Sequence, residues 1–466
     1  MSNKSYDSFD AIVIGSGQGG TPLATTLAKA GWQVALIERE HVGGTCVNTG
    51  CTPTKTLIAS AKVAQTIRSA RHFGINASLE SVDFLKVRKR KQDIVESFRE
   101  GSRNQLLSTK GLSLIEGEAR FVGKKKLEIA FPQKENIQLR ADIIIINTGT
   151  RPSQPKIPGL EAIPYLNSTT AMALDQLPEH LLVIGGGYVG LEFGQMFRRF
   201  GSKISILQHH PQLLTREDHD IAEEIASIFK QEEINVLLDT QTLKVESPAQ
   251  NKIILTIKKG SKKEILKGSH LLVATGRTPN TSALNLESTG ITPNKRGFVP
   301  VNEYLETDVS GIFAIGDVKG GPQFTHISYD DYRILSQNIL HKENASITGR
   351  PVPYVVYTDP QLGRIGLTEK DAKEQGYEFK VAKMPMSWVA RAIETGETNG
   401  MMKVLMDAKT DQLLGAAILG TEGGEMMAIL QVAMMGHLPY TALRDAIFSH
   451  PSLSEAFNSL FDMLSD

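Results

Sequence analysis

The sequence DAIVIGSGQGG, residues 10–20, decides the fold of the first part of this 466-residue chain. Its apolar beginning, residues 10–14, is typical of a buried parallel strand, and its end forms a Gly-x-Gly-x-x-Gly turn. A helical stretch, residues 21–30, and a second strand, residues 33–37, come next. Strand, glycine turn, helix and strand in this order predict a dinucleotide-binding βαβ unit.

Each glycine of this turn has its own task. Gly15 allows the tight turn, Gly17 lets the backbone approach a pyrophosphate, and Gly20 lets the helix pack against the strand. The phosphate then binds unsatisfied N–H groups at the helix N-terminus. Glu38 ends the second strand, where it is placed to accept a hydrogen bond from a ribose hydroxyl. The alternative is an ordinary glycine turn, since many loops contain such a triplet.

The same pattern recurs in HLLVIGGGYVG, residues 180–190, where Gly185, Gly187 and Gly190 occupy the three glycine positions. A helix to residue 200 and a strand over residues 203–207 are predicted after it. Two such turns indicate either two dinucleotides or one duplicated domain with an idle site.

The second turn lacks the acid that ends the first unit. The position corresponding to Glu38 is Gln208, followed by His209, and Arg216 lies beyond. Without a carboxylate nothing repels a 2′-phosphate, so the sequence favours NADPH over NADH. His209 and its neighbour His210 have an equally simple interpretation as a solvated loop pair.

Cys46 and Cys51 are the only cysteines of the chain, and they lie in GGTCVNTGCTPTK, residues 43–55. A disulfide that closes so short a loop removes little unfolded-state entropy. A redox couple that opens and closes is the better interpretation, and it suggests flavin at the first turn and nicotinamide at the second. Two inert buried cysteines are the alternative. A zinc site is disfavoured, because no second Cys/His pair lies at ligand spacing.

The amino-acid composition limits the kinds of partner that the protein is expected to bind. Lys plus Arg equals Asp plus Glu at 51 each, so charge gives no case for a nucleic-acid partner or an anionic membrane surface. The length predicts two to four domains. Residues 1–10 are too polar for a secretory signal, and no apolar run could span a bilayer. With one redox-active pair, this favours the cytoplasm.

Taken in order, these motifs resemble the class I pyridine nucleotide–disulfide oxidoreductases, which include dihydrolipoamide dehydrogenase, glutathione reductase and mercuric reductase. Residues 43–55 look like the redox centre of that family. TGTRP (residues 148–152) and ATGRTPN (residues 274–280) are similar to its paired Thr-Gly segments. GIFAIGD (residues 311–317) is similar to its second flavin-binding strand, and HPSLSE (residues 450–455) to its C-terminal motif. The resemblance covers essentially the whole chain.

The resemblance implies an α/β fold with two Rossmann-like dinucleotide-binding domains and a C-terminal α+β dimerisation domain. The implied regions are an FAD domain (residues 1–150), an NAD(P) domain (151–275), a central segment returning to FAD (276–345) and a dimerisation domain (346–466). It also implies a homodimer whose active site is shared between subunits.

The resemblance also assigns roles near the flavin. Cys51 would be the charge-transfer thiolate, and Cys46 the interchange thiol that meets substrate. Lys55 and Glu192 would form an ion pair near the flavin. Tyr188 would cover the flavin until nicotinamide displaces it, although simple packing explains an aromatic residue there equally well.

His450 and Glu455 supply the predicted acid–base element. Reducing a disulfide consumes two protons, and a histidine poised near neutrality can manage them. A glutamate on its other nitrogen would select the tautomer. In the family this histidine reaches across from the partner subunit; the alternative is an ordinary surface histidine.

The motifs and the family resemblance together predict which residues contact the cofactors. No resident metal site is expected. The expected FAD contacts are Gly15, Gly17, Gly20, Glu38, Thr45, Lys55, Thr148, Gly149, Gly316 and Asp317, of which Asp317 matches the ribityl ligand of the family. The expected NAD(P) contacts are Gly185, Gly187, Tyr188, Gly190, His209, Arg216, Gly276 and Arg277.

The C-terminal residues limit the range of electron acceptors that can be expected. Mercuric reductases carry a C-terminal cysteine pair, whereas this chain ends FDMLSD, residues 461–466. Residues 320–333 and 438–445 look more like the reactive-chlorine-resistance branch, whose members are proposed to reduce copper(II). The acceptor is therefore expected to reach Cys46 and Cys51 directly.

The predicted function is an NAD(P)H-dependent flavoprotein disulfide reductase that passes electrons through the Cys46–Cys51 disulfide to a small acceptor. That acceptor is a disulfide, a metal ion such as Cu(II) or Hg(II), or an electrophile. One alternative is a dihydrolipoamide dehydrogenase subunit of a multienzyme complex, which Gln208 disfavours because an acid is usual there. The other is a flavin-bound redox sensor.

Overall fold

The computed structural model describes residues 7–464, so residues 1–6 of the N-terminal segment and 465–466 of the C-terminal segment discussed above lie outside the described part. The chain forms two compact units. Within the described part, the first consists of residues 7–56, 88–153 and 276–350, and the second of residues 57–87, 154–275 and 351–464. The predicted four-region division stays a prediction.

The α-helices of the described residues are α1 (Gly20–Lys29), α2 (Gly44–Asn48), α3 (Cys51–Ser69), α4 (Phe84–Ser108), α5 (Ser168–Ala171), α6 (Tyr188–Phe200), α7 (His219–Gln231), α8 (Thr325–His341), α9 (Glu369–Glu374), α10 (Ala390–Glu394), α11 (Gly423–Met435), α12 (Tyr440–Arg444) and α13 (Ala456–Asp462).

The strands are β1 (Asp7–Ile14), β2 (Val34–Glu38), β3 (Leu112–Glu116), β4 (Glu118–Gly123), β5 (Lys126–Ala130), β6 (Ile137–Ile146), β7 (Thr150–Pro152), β8 (His180–Ile184), β9 (Lys203–Leu207), β10 (Asn235–Leu237), β11 (Thr240–Ala249), β12 (Lys252–Lys259), β13 (Lys262–Gly268), β14 (His270–Val273), β15 (Arg277–Pro279), β16 (Ile312–Ala314), β17 (Tyr354–Val356), β18 (Gln361–Gly366), β19 (Phe379–Pro385), β20 (Met401–Asp407) and β21 (Leu413–Gly420).

The first unit is built on a sheet with strand order β3-β2-β1-β6-β5-β4, to which β16 adds alongside β6. At its centre β1 pairs in parallel with both β2 and β6, so that Ala11 lies opposite Val34 and Ile143. The end of β1 is fully buried, as expected for a parallel strand covered on both faces. Helix α1 packs its buried Leu23 and Leu27 against one face.

The second unit contains three further sheets. A parallel sheet, β10-β9-β8-β14, follows the second glycine turn, and an antiparallel sheet, β11-β12-β13, is a separate layer. The C-terminal sheet has the order β17-β18-β21-β20-β19 and is antiparallel throughout. Helix α11 packs against it through Met427 and Leu430. The predicted α/β class is confirmed.

The sequence located the elements around both turns to within one residue, except that β1 begins at Asp7 and not at the predicted residue 10. The predicted helix over residues 21–30 is α1, and the predicted strand over residues 33–37 is β2. The strands predicted around the second turn are β8 and β9. No helix among the described residues is long and apolar enough to cross a membrane.

Candidate active site

The first glycine turn accepts no side chain at its key positions. Gly15 has φ +103°, and a Cβ there would lie 2.4 Å from the Asn147 carbonyl oxygen. A Cβ on Gly20 would lie 2.1 Å from the Gly15 carbonyl oxygen. Both contacts are with backbone, which cannot move aside without opening the turn.

Asn147 braces this turn from below. Its Nδ2 donates to the Gly15 carbonyl at 2.9 Å, and the residue is buried. Sequence reasoning missed Asn147. The available signal was a polar residue at the end of the apolar strand β6, directly before the Thr148-Gly149 pair.

The Glu38 carboxylate is held in place at the end of β2. Its Oε2 accepts hydrogen bonds from Ser16 N at 3.0 Å and from Ser16 Oγ at 2.6 Å. Its Oε1 accepts from Glu40 N at 2.9 Å. The acid therefore ties the turn to the strand and presents a fixed acceptor where a ribose is expected.

The cysteine motif lies directly against the first turn. A Cβ on Gly44, which begins α2, would lie 2.7 Å from Gly17 Cα. The Gly43 N–H donates to the Ser16 carbonyl and hydroxyl, both at 3.2 Å. Thr45 is exposed in the first turn of α2. The first unit thus brings the dinucleotide turn and the redox motif together.

The two cysteines are not joined in a disulfide and differ in exposure. Cys46 lies half-buried in α2, whereas Cys51 is exposed and begins α3. The hydrogen bond to Cys51, followed by burial, raises the pKa of the Cys46 thiol, while Thr325 and the charge of Lys55 lower it. The neighbouring Cys51 and burial together therefore disfavour a thiolate at Cys46.

The Thr-Gly segments pair with each other inside the first unit. Strands β7 and β15 are antiparallel, and the Thr148 hydroxyl donates to the Asn280 carbonyl at 2.9 Å. Arg277 Nε donates to the Thr150 hydroxyl at 2.7 Å. Gly276 and Arg277, expected at NAD(P), thus lie in the unit that holds the first turn, and their NAD(P) contact stays a prediction.

Asp317 lies just after β16 in a short 3-10 helix, Gly316–Lys319. The Thr150 hydroxyl donates to its Oδ2 at 2.8 Å. Burial raises the pKa of the Asp317 carboxyl, and the Thr150 hydrogen bond opposes that shift.

Asp331 on α8 holds this segment in place. It is fully buried, accepts the Gly316 N–H at 2.8 Å, and pairs with Lys319 at 3.3 Å and Arg350 at 2.8 Å. An acid inside a helix gives no sequence signal for such a role, so Asp331 was not predicted.

The second glycine turn repeats the backbone of the first. Gly185 has φ +120°, and its Cβ would lie 2.4 Å from the Ala274 carbonyl oxygen. A Cβ on Gly190 would lie 2.0 Å from the Gly185 carbonyl oxygen, whereas one on Gly187 would meet nothing within 4 Å. Tyr188 is exposed as the first residue of α6.

In the second unit, the residue that corresponds to Glu38 is Gln208, and its side chain is hydrogen-bonded within its own loop. Gln208 is buried; its Oε1 accepts from His209 N at 3.1 Å, and its Nε2 donates to the Gln212 carbonyl at 3.3 Å. Burial, aided by the neighbouring His210, lowers the pKa of His209. His209 is therefore mostly neutral at pH 7, which leaves exposed Arg216 as the cation of this segment.

Lys55 and Glu192 are placed in different units. Lys55 is half-buried in α3, within the first unit. Glu192 is buried in α6, where its Oε1 accepts the Tyr357 N–H at 2.9 Å. Their ion pair stays a prediction.

The C-terminal motif forms the expected acid–base pair in the second unit. His450 Nδ1 lies 2.9 Å from Glu455 Oε2, and the His450 side chain is 73% exposed. A carboxylate at Nδ1 selects the tautomer that leaves Nε2 as the basic atom. The geometry suits proton transfer, and the catalytic role stays a prediction.

The first unit has the features that FAD requires. The backbones of Gly17 and Gly44 approach so closely that a Cβ would fill the gap, as at a pyrophosphate cradle. Carboxylates lie at the two expected ends, Glu38 for a ribose and Asp317 for the ribityl chain. The residues present therefore fit the cofactor.

Profiles of known families match nearly the whole chain. The profile described as pyridine nucleotide-disulphide oxidoreductase covers residues 9–331, and its dimerisation domain covers residues 352–461. This chain belongs to the pyridine nucleotide-disulphide oxidoreductases. As a member, it is an FAD-dependent oxidoreductase that uses NAD(P)H.

Two relatives place this oxidoreductase within the family. The probable pyridine nucleotide-disulfide oxidoreductase RclA of Escherichia coli K12 is 38% identical over 98% of this chain and 99% of its own length. A mercuric reductase of Staphylococcus aureus is 34% identical over 96% of this chain and 81% of its own length.

A solved structure of this family agrees with those relatives. It is described as the Cu(II) complex of HOCl-induced flavoprotein disulfide reductase RclA from Escherichia coli. It matches 98% of this chain and 100% of its own at 38% identity, with a TM-score of 0.90. This oxidoreductase is thus a flavoprotein disulfide reductase, as the sequence predicted.

Proposed function

We propose that this reductase passes electrons through Cys46 and Cys51 to a small acceptor that reaches the thiols directly, with copper(II) as the first candidate. The observation that carries the proposal is the contact of the redox motif with the first dinucleotide turn, where Gly44 lies against Gly17, together with the partial exposure of Cys46 in that motif. The 38% identical RclA structure described as a Cu(II) complex supports copper(II) as the substrate.

FAD would be held by the Gly15–Gly20 turn, Glu38 and Asp317, and when bound it supplies the two-electron chemistry that links NAD(P)H to the cysteine pair. Asn147 and Asp331 would orient this cradle through the contacts described above. The second glycine turn would hold the nicotinamide dinucleotide, with Tyr188 at its mouth.

The thiol chemistry balances for the proposed acceptors. Reduction of the Cys46–Cys51 disulfide takes up two electrons and two protons and yields two thiols. Two copper(II) ions then each accept one electron, the sulfur–sulfur bond forms again, and two protons leave. For a disulfide acceptor, the Cys46 sulfur attacks, and Cys51 then displaces the product from the mixed disulfide.

Proton transfer would fall to the His450–Glu455 pair, supplied by the partner subunit of a homodimer. The dimerisation-domain match over residues 352–461 supports that assembly. With Nδ1 engaged by Glu455, Nε2 accepts or returns the thiol proton.

NADPH is the proposed coenzyme. The second unit presents Gln208 in place of a carboxylate, so no like charge opposes a 2′-phosphate. Because burial lowers the pKa of His209, we assign the attraction of the phosphate to Arg216.

The test uses a variant of the protein that has no thiols. Because Cys46 and Cys51 are the only cysteines, Cys46→Ser/Cys51→Ser removes every thiol. The double variant should bind FAD and accept electrons from NADPH anaerobically, yet form copper(I) no faster than free reduced flavin does. Formation of copper(I) is followed with a copper(I)-selective chelator.

A matched panel of lipoamide, glutathione disulfide, Hg(II) and quinone then ranks the acceptors. Copper(I) formation at the wild-type rate without thiols would overturn the thiol route. Lipoamide turning over faster than every other acceptor would instead support the dihydrolipoamide dehydrogenase alternative.

A further inference from the structure

A threonine hydroxyl meets the exposed thiol. Thr325 Oγ1 lies 3.4 Å from Cys51 Sγ, although the two residues are 274 positions apart in the sequence. Thr325 is half-buried and is the first residue of α8. No helical residue lies four positions before it, so its hydroxyl has no carbonyl of its own helix to bond, unlike a threonine in a helix interior.

The same hydroxyl also acts on the second thiol. Its hydrogen bond lowers the pKa of Cys46, against the larger raising effects of Cys51 and burial. The hydroxyl that contacts Cys51 therefore also favours a thiolate at Cys46.

The helix that carries Thr325 is anchored. A Cβ on Gly19 would lie 2.8 Å from the Ser328 carbonyl oxygen, so α8 packs against the glycine turn without room to spare. Asp331, one helical turn further on, is fully buried and paired with Lys319 and Arg350. A β-branched side chain on a helix has few χ1 rotamers, and the 3.4 Å contact with Cys51 Sγ identifies the one that Thr325 adopts.

We infer that Thr325 is a positioning residue that stabilises the reduced, thiolate-bearing form of the Cys46–Cys51 pair over the disulfide. A thiolate can only accept, so the hydroxyl donates to it, and a hydrogen bond to a charged acceptor is stronger than one to a neutral sulfur. The disulfide carries no charge and gains little from the same donor. Thr325 therefore shifts the thiol–disulfide equilibrium of the pair towards the reduced form, and it holds Cys51 in one orientation.

This inference rests on the proposed thiol route, and its test is separate from turnover. Thr325→Val keeps the shape and removes the hydroxyl, while Thr325→Ser keeps the hydroxyl. The thiol–disulfide equilibrium of the FAD-bound protein is measured in dithiothreitol redox buffers by alkylation and mass spectrometry. Thr325→Val should shift the equilibrium towards the disulfide by about tenfold, or about 30 mV for a two-electron couple, and Thr325→Ser should restore it.

A spectroscopic readout reports orientation. On two-electron reduction, the long-wavelength thiolate–flavin absorbance should weaken in Thr325→Val and recover in Thr325→Ser. Thr66→Val, on the exposed side of α3, is the matched control and should change neither quantity.

Two results would overturn the inference. One is a Thr325→Val protein with the equilibrium and absorbance of the wild type; the other is an equal shift in Thr325→Val and Thr325→Ser, which would indicate packing alone. Neither measurement involves an acceptor. Failure here is therefore distinguishable from failure of the proposed copper(II) chemistry, which the double cysteine variant tests.

Discussion

The two glycine turns share one backbone and differ in the side chains around it. Gly15 and Gly185 have φ +103° and +120°, and a Cβ at either would lie 2.4 Å from a carbonyl oxygen of the neighbouring strand end. Gly20 and Gly190 are equally constrained, at 2.1 and 2.0 Å. This shared backbone has the form of a dinucleotide-binding turn in both regions, and it does not distinguish one dinucleotide from another.

The differences lie where the strands end. The first turn has Asn147 and Glu38 beside it, and both residues are hydrogen-bonded to the turn. The second has Ala274 and Gln208, and Gln208 is engaged by its own loop. Backbone geometry thus defines the class of site, while side chains at strand ends select the cofactor and brace the turn.

The largest effects are expected at the last glycine of each turn, Gly20 and Gly190, where neither turn has room for a side chain. Gly20→Ala and Gly190→Ala should each cost about 3 kcal/mol of unfolding free energy, because the new methyl overlaps backbone that cannot move. Gly20→Ala should lose flavin on purification, whereas Gly190→Ala should keep flavin that NADPH no longer reduces. Flavin absorbance per chain and anaerobic reduction rates measure both.

Gly187→Ala is the control for these two variants. A Cβ there meets nothing within 4 Å, so its thermal stability should equal that of the wild type. Flavin loss from Gly190→Ala as severe as from Gly20→Ala would remove the proposed division of cofactors between the turns.

The next effect isolates the acid of the first turn. Glu38→Gln removes a charged acceptor, so FAD affinity should fall by about 2 kcal/mol, or about thirtyfold. The measurement is the Kd from fluorescence titration of apoprotein with FAD. Ser16→Ala, which keeps the carboxylate and removes one of its donors, should have a smaller effect; equal losses would mean that Glu38 serves only to hold the turn.

A smaller effect is expected from giving the second turn the acid of the first. Gln208→Glu should shift the ratio of kcat/KM for NADPH over NADH by about tenfold towards NADH, since a carboxylate repels a 2′-phosphate and accepts from a 2′-hydroxyl. Rates of flavin reduction with each coenzyme give the ratio. Gln208→Met, which removes the amide without adding charge, is the control, and an unchanged ratio in Gln208→Glu would contradict the assignment of this position.

The smallest effect concerns the brace that only the first turn possesses. Asn147→Ala should cost about 1 kcal/mol of unfolding free energy through loss of the hydrogen bond to the Gly15 carbonyl. Urea unfolding of the FAD-saturated protein measures it. The second turn has Ala274 at the corresponding position, which cannot make this hydrogen bond. If Asn147→Ala were as stable as the wild type, the first turn would not depend on the hydrogen bond either.

The elements around both turns were predictable because their signals are local. An apolar strand, a glycine triplet and an amphipathic helix follow one another within thirty residues in each case. Their limits matched to within one residue, except that β1 begins at Asp7 and not at the predicted residue 10. Pairing of His450 with Glu455 was also predictable, since the two lie five residues apart.

The supporting residues of the site were not predictable for the opposite reason. Asn147 reaches Gly15 across 132 residues, and Thr325 reaches Cys51 across 274. Such contacts depend on strand register and on how α8 is anchored, and neither leaves a local pattern in the sequence.

The sequence by itself determined the presence of two dinucleotide turns, a lone pair of cysteines next to the first, and the absence of an acid at residue 208. These depend on residue type and spacing, which backbone sterics translate directly into local structure. Only the tertiary structure decided that Asn147 braces Gly15, that the amide of Gln208 is used by its own loop, and that Thr325 lies against Cys51. Hydrogen bonds between distant residues need positions accurate to a fraction of an ångström, and only the packed sheets and helices supply that accuracy.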